Sequence, residues 1–165
     1  MGLLEARAVL EPSSVGIVWR SGPPSTESSE DEVRVVPLAR RLGEKGGRRI
    51  LAATATGHGP RTVWLDWAGM LWLAGFDPDT LASAPVLEKR RLGVALGRVL
   101  AHELIHSLLP NLLHANHGLM DEAMREPLLA PATLDARSRE ALNDLVARAR
   151  GASRPAALAE AAGGP

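Results

Sequence analysis

The segment between Pro85 and Pro110 constrains the fold of this chain more than any other part of the sequence. No proline interrupts it, and its apolar residues recur with the period of an α-helix that packs one face against a core. They are Leu92, Ala95, Leu96, Val99, Leu100, Leu104 and Leu108. Ser83 is in a position to cap this helix, and Pro110 must end it. The pattern predicts one long helix over residues 86–109.

Short runs of β-branched and other apolar residues predict strands before this helix. They cover residues 15–20, 33–38, 50–56 and 61–69. Pro37 has no main-chain N–H to donate, so the second run is restricted to a sheet edge or a strand end. Three tryptophans follow at the transition from strand to helix, and we expect their side chains to lie in the core: Trp64, Trp67 and Trp72.

The two ends of the chain predict further helices. Closely spaced apolar residues before Pro12 predict a short one. Residues 133–150 have an amphipathic pattern that Thr133 or Asp135 can cap. Strands between helices in a chain of 165 residues indicate one α+β domain, residues 1–150. The Ala-, Gly- and Pro-rich residues 151–165 are expected to form a flexible tail.

The composition argues against several classes of partner. Nineteen basic and nineteen acidic residues cancel, so no net positive field attracts nucleic acid or a membrane surface. The chain has no cysteine, which removes disulfides, thiolate ligands and a cysteine nucleophile. No stretch reaches the roughly 18 apolar residues of a membrane span, and the N-terminus lacks a signal-peptide pattern. We expect a soluble monomer, cytoplasmic as written and secreted if a leader was removed.

Four of the five histidines lie within residues 102–117, and two of them form the pattern H-E-x-x-H. Residues four apart project from the same face of a helix, so His102 and His106 can present two nitrogens to one ion. Glu103 lies beside whatever that ion binds, as a zinc hydrolase requires. In the alternative interpretation, both histidines are half-buried core residues and Glu103 is a solvated helix residue.

A catalytic zinc site has three protein ligands and an open position for water, so the chain must supply one more ligand after the helix. Leu109 precedes a proline, which disfavours helical geometry, and Asn111 tolerates the left-handed conformation of a tight turn. The chain can therefore reverse and return beneath the helix. The candidates for the third ligand are His114, His117 and, less favoured, the acids Asp121 and Glu122.

The sequence G-L-M follows these histidines at residues 118–120. Residues 99–120 as a whole resemble the metzincin metallopeptidases, most closely the matrixin-like members. Their pattern is H-E-x-x-H-x-x-G-x-x-H followed by a Met-turn. This chain departs from the pattern because Leu109 stands where the family has glycine, and the third histidine comes two positions late.

The resemblance implies three zinc ligands, a general base and a Met-turn residue: His102, His106 and His114; Glu103; and Met120. His114 is preferred to His117 because Met120 then follows at a matrixin-like distance. The resemblance further implies a small metzincin-like domain, with a twisted mixed sheet of about four strands packed on a long active-site helix. A C-terminal helix would follow the Met-turn, and the strand RTVWLDW would border the cleft and pair with an extended peptide.

The function that the resemblance implies is a zinc metalloendopeptidase, which hydrolyses a peptide or protein substrate with metal-activated water. One alternative is a catalytically silent scaffold that keeps zinc for stability, and another is a hydrolase of a different amide. Asp66, an acid within an apolar strand, leaves two roles open. It either orients a zinc-bound histidine or is a structural acid.

Overall fold

The structure, a computed structural model, describes residues 2–13, 15–22, 32–45, 48–55, 61–115, 118–121 and 133–162. The long helix that the sequence predicts is confirmed, and it spans Val86–Leu108 (α3). Leu109, which precedes Pro110, has left the helical conformation at φ −129° and ψ 72°. Pro85 occupies the N-cap position instead of Ser83, and no side chain caps this end.

A short helix at the N-terminus, Gly2–Leu10 (α1), crosses α3 at close range. A Cβ atom on Gly97 of α3 would overlap the main-chain oxygen of Gly2 and lie 2.5 Å from Glu5 Cβ. An ion pair between Arg98 Nε and Glu5 Oε1, at 3.3 Å, also joins the two helices. The absence of a side chain at Gly97 therefore sets the spacing of this helix pair.

In the described part of the chain, the main sheet has three strands, in the order Val33–Leu38 (β1), Arg61–Asp66 (β5) and Ala52–Ala55 (β4). Strands β1 and β5 are parallel, whereas β4 and β5 are antiparallel, so the sheet is mixed. A separate antiparallel ribbon joins Glu44–Lys45 (β2) to Arg48–Arg49 (β3). Pro37 lies on the edge strand β1, as predicted. The α+β class and a small mixed sheet are confirmed; the described residues supply three strands of the main sheet, where about four were expected.

Two of the predicted strands need correction. Residues 15–20 form no strand; Val15, Ile17 and Trp19 instead pack against the core from an irregular segment. The run 61–69 is a strand only as far as Asp66, where a helix, Trp67–Leu73 (α2), begins. The prediction that the tryptophans are core residues is wrong for Trp72 on α2 and for Trp64 on β5, which are 67% and 38% exposed. Trp67 is partly buried against the core.

The core lies between α3 and the sheet. It contains buried residues of α1, β5 and α3, together with Leu119, Met120, Leu134 and Leu142 from the C-terminal part of the chain. The last helix, α4, spans Ala136–Ala162, so it continues past residue 150, where we expected the domain to end. The division of the chain at that residue stays a prediction.

Asp135, one of the two residues predicted to cap the last helix, caps α4. Its carboxylate accepts a hydrogen bond from the Ser138 main-chain N–H at 2.9 Å and another from the Ser138 hydroxyl at 2.6 Å. Partial burial, the largest single effect, would raise the pKa of Asp135, but the hydrogen bonds together outweigh it and lower that pKa.

We expect Gly97→Ala to destabilise the protein. The added methyl group forces α1 away from α3, and overpacking of this kind costs about 1–3 kcal/mol. Urea denaturation should show a lower midpoint. Gly151→Ala in α4 is the matched control. It also replaces a helix-interior glycine, but the added Cβ meets nothing within 4 Å. Equal midpoint shifts in the two variants would contradict the close crossing.

We expect Asp135→Ala to lower the free energy of unfolding by about 1 kcal/mol at neutral pH. The folded-state pKa of Asp135 lies below the unfolded value. Its stabilisation is therefore present above about pH 4 and is lost as the pH falls through the folded-state pKa. Denaturation midpoints measured toward acid should converge for the wild type and Asp135→Ala. Asp135→Asn keeps a capping oxygen that does not titrate, so its advantage over the alanine variant should persist.

Candidate metal centre

Three histidine side chains meet at the C-terminal end of α3. His102 and His106 lie one turn apart on the helix, and His114 approaches from the segment that follows Pro110. The ring centroids are separated by 4.8 Å between His102 and His106, 5.2 Å between His102 and His114, and 4.6 Å between His106 and His114. One nitrogen from each ring lies within 4.8 Å of the others.

The return of the chain depends on hydrogen bonds within the segment after α3. The N–H of Leu112 donates to the carbonyl of Leu109 at 2.9 Å and closes the turn at Pro110. The N–H of Ala115 then donates to the carbonyl of Met120 at 2.8 Å. This second bond holds the residue next to His114 against the G-L-M sequence.

Gly118 provides the second reversal. Its φ of +75° lies in the left-handed region that favours glycine, and a Cβ there would approach the Thr133 carbonyl oxygen to 2.8 Å. The next N–H, that of Leu119, donates to the same carbonyl at 3.1 Å. The G-L-M sequence is thus fixed between the histidine segment and the start of α4.

The orientation of His102 follows from this turn. Its Nδ1 lies 2.8 Å from the carbonyl oxygen of Leu119. Because a carbonyl oxygen only accepts, Nδ1 carries the proton, and Nε2 is the nitrogen with a lone pair for a metal. His102 is 6% exposed, so the ring is also fixed by packing. A main-chain carbonyl, not a carboxylate, therefore orients the first ligand.

His106 and His114 face each other through their Nε2 atoms, which are 3.0 Å apart. Burial and, to a smaller extent, the nearby charges of His102 and His114 together lower the pKa of His106 to about 4. His106 is therefore neutral near pH 7. Neutral imidazole is the form that binds metal ions.

Glu103 is 9% exposed, and the edge strand β4 covers it. The hydroxyl of Thr54 lies 2.6 Å from Glu103 Oε2 and 3.0 Å from the main-chain oxygen of the same residue. A hydroxyl has one proton, and the shorter contact is to the carboxylate. Burial raises the pKa of Glu103, although the hydrogen bond from Thr54 and the charge of His114 act against this.

The three histidines could bind a divalent metal ion. In a tetrahedral site with zinc–nitrogen bonds of about 2.0–2.1 Å, neighbouring ligand atoms lie roughly 3.3 Å apart. The 3.0 Å between the Nε2 atoms of His106 and His114 is close to this spacing. Imidazole ligands suit zinc, copper, iron and nickel, so the site could bind a metal ion whose identity the donor set leaves open.

The other candidates for the third ligand are His117, Asp121 and Glu122. His117 and Glu122 fall outside the described residues, and Asp121 is not part of the group that the structure brings together. Met120 is fully buried in the core beside Leu119. Its role as a Met-turn residue stays a prediction.

Among the described residues, the hydrogen-bond partners of the Asp66 side chain are Arg49 and Gly69 and not a histidine, so Asp66 acts there as a structural acid. Its fully buried carboxylate accepts two hydrogen bonds from the Arg49 guanidinium, at 3.0 and 3.3 Å. It also accepts one from the Gly69 N–H at 2.6 Å and so caps α2. An acid in an apolar strand is here explained by a helix cap and an ion pair.

The strand RTVWLDW does not border an open cleft in the way the resemblance implies. Its first six residues form β5, and both edges of β5 pair with neighbouring strands. In the described part of the chain, β4 is the strand next to the site that pairs on one side only. The edge nearest the histidines therefore belongs to Ala52–Ala55.

Comparisons with known proteins identify no relative. No protein-family model, curated protein or solved structure matches this chain. Within the described residues, no helix is long and apolar enough to cross a membrane. The description of the site thus depends on its own geometry.

Metal analysis tests the assignment of the ligands. We expect the wild type to bind one equivalent of zinc, and His106→Ala and His114→Ala to weaken that binding by at least about 100-fold, because each removes a direct ligand. His117→Ala is the matched control and should keep wild-type affinity. The opposite result, with zinc lost in the His117 variant and kept in the His114 variant, would contradict the ligand set.

Proposed function

We propose that this protein is a zinc-dependent metallopeptidase of the metzincin type. His102, His106 and His114 would hold the ion, and Glu103 would act as the general base. One observation carries the proposal: a buried glutamate adjoins three converging histidines, close enough for the charge of His114 to offset part of the rise in its pKa. Buried carboxylates are rare unless they are paired or functional.

The chemistry follows from the residues. Zinc, when bound, supplies a Lewis acid that lowers the pKa of water and polarises the substrate carbonyl. Glu103 would take a proton from the attacking water and deliver it to the leaving amine, so that one peptide bond and one water give a carboxylic acid and an amine. Its burial favours this role, because a carboxylate with a raised pKa is a stronger base.

The number of ligands favours an enzyme over a scaffold. Structural zinc sites are usually closed by four protein ligands, whereas catalytic sites use three and keep a position for water. The structure brings three histidines together and adds no fourth His, Cys, Asp or Glu from the described residues. A scaffold would also have no use for a buried glutamate beside the open position.

The neighbouring strand edge favours a peptide as substrate. Strand β4 lies along α3, and no strand in the described ranges pairs with its outer edge. An extended peptide can add to such an edge through main-chain hydrogen bonds. The scissile bond would then lie near Glu103 and the three histidines.

The variant Glu103→Gln separates the enzyme from the scaffold. We expect it to bind zinc as the wild type does and to lose about 10²–10⁴-fold in kcat on a mixed peptide library, because an amide cannot accept the proton. Glu88→Gln, at an exposed position in the first turn of α3, is the matched control and should keep full activity. A zinc-loaded wild type that cleaves no peptide would contradict the proposal.

A further inference from the structure

The strand β4 carries one polar side chain, that of Thr54, in the sequence AATA. We propose that Thr54 is a positioning residue for Glu103, an inference that rests on the proposed function for its catalytic consequence. Its hydroxyl holds one oxygen of the general base, so that the carboxylate is already oriented before a substrate binds.

One carboxylate oxygen of Glu103 accepts a hydrogen bond from Thr54, and the other is available to accept a proton. Thr54 Oγ1 donates to Oε2 at 2.6 Å, a length typical of a strong hydrogen bond from a hydroxyl to a charged acceptor. Within the described residues, no other hydrogen bond reaches the Glu103 carboxylate. Oε1 is therefore the oxygen that can accept a proton from water.

A glutamate side chain needs such support. It has three rotatable bonds, and each orientation that does not face the reacting water reduces the rate. Packing alone leaves the terminal torsion broad. A hydrogen bond to one oxygen restricts this torsion, and a β-branched threonine on a strand is itself a rigid donor.

The same hydroxyl links the base to the strand edge. Thr54 Oγ1 is also 3.0 Å from the main-chain oxygen of Glu103, so it contacts both the helix backbone and the carboxylate. The two residues are 49 positions apart in the chain. The strand that would bind a peptide and the group that would activate water are therefore aligned by one side chain.

Two substitutions at this position test the inference. Thr54→Val keeps the shape and removes the hydroxyl, whereas Thr54→Ser keeps the hydroxyl. We expect kcat of the valine variant to fall roughly ten- to hundredfold, the effect of losing a hydrogen bond to a charged group. KM and zinc affinity should stay at wild-type values, and the serine variant should recover most of kcat.

The control is Thr62→Val on β5. Thr62 pairs with Ala55, one position along from Thr54, and its side chain projects from the opposite face of the sheet. This variant should keep wild-type kcat. Three results would overturn the inference: wild-type kcat in Thr54→Val, a serine variant as slow as the valine variant, or a parallel loss of zinc and kcat.

Crystal structures of the metal-free wild type and Thr54→Val provide a measurement that is independent of activity. We expect Glu103 Oε2 within hydrogen-bond distance of Thr54 in the wild type, and a displaced or multiply oriented carboxylate in the variant. An unmoved carboxylate would overturn the inference. A zinc-loaded wild type without peptidase activity would instead overturn the proposed function, and the carboxylate position would still decide whether Thr54 orients Glu103.

Discussion

The burial of α3 is the interaction on which the rest of this structure depends. Its buried residues, from Leu92 onward, pack against α1 and against the sheet, and its last two turns carry Glu103 and two of the histidines. Because one helix contributes both to the core and to the site, His102 and Glu103 are held as firmly as core residues. Two titratable side chains are buried as a result, and each has a hydrogen-bond partner: the Leu119 carbonyl for His102 and the Thr54 hydroxyl for Glu103.

Local sequence patterns were enough to predict the parts of the structure that one segment of the chain forms by itself. The period of apolar residues located α3, and the residue before Pro110 correctly marked its end. The spacing of His102 and His106 placed them on one face, and the helix stop made the return of His114 geometrically possible. The site was predictable because its parts lie within 13 residues of one another along the chain, from 102 to 114.

The parts that depend on distant segments could not be predicted in this way. A strand needs a partner, and the run 15–20 has a strand-like composition but packs as an irregular segment. The order β1–β5–β4 puts β5, which the metzincin resemblance places beside the cleft, in the centre of the sheet. Thr54 shows no signal in sequence, since a threonine among alanines acquires a role only when that strand meets α3. Asp66 likewise needed Arg49, 17 positions away, to explain its burial.

Leu119 and Met120 use consecutive carbonyls to support the first and third histidines, directly for His102 and through Ala115 for His114. An opening of this one turn would therefore release both ends of the triad together. A metal ion bound by the three histidines would therefore be linked thermodynamically to closure of this turn. Metal loading should then protect the amides of residues 112–115 and 118–121 from solvent exchange more than those of α1.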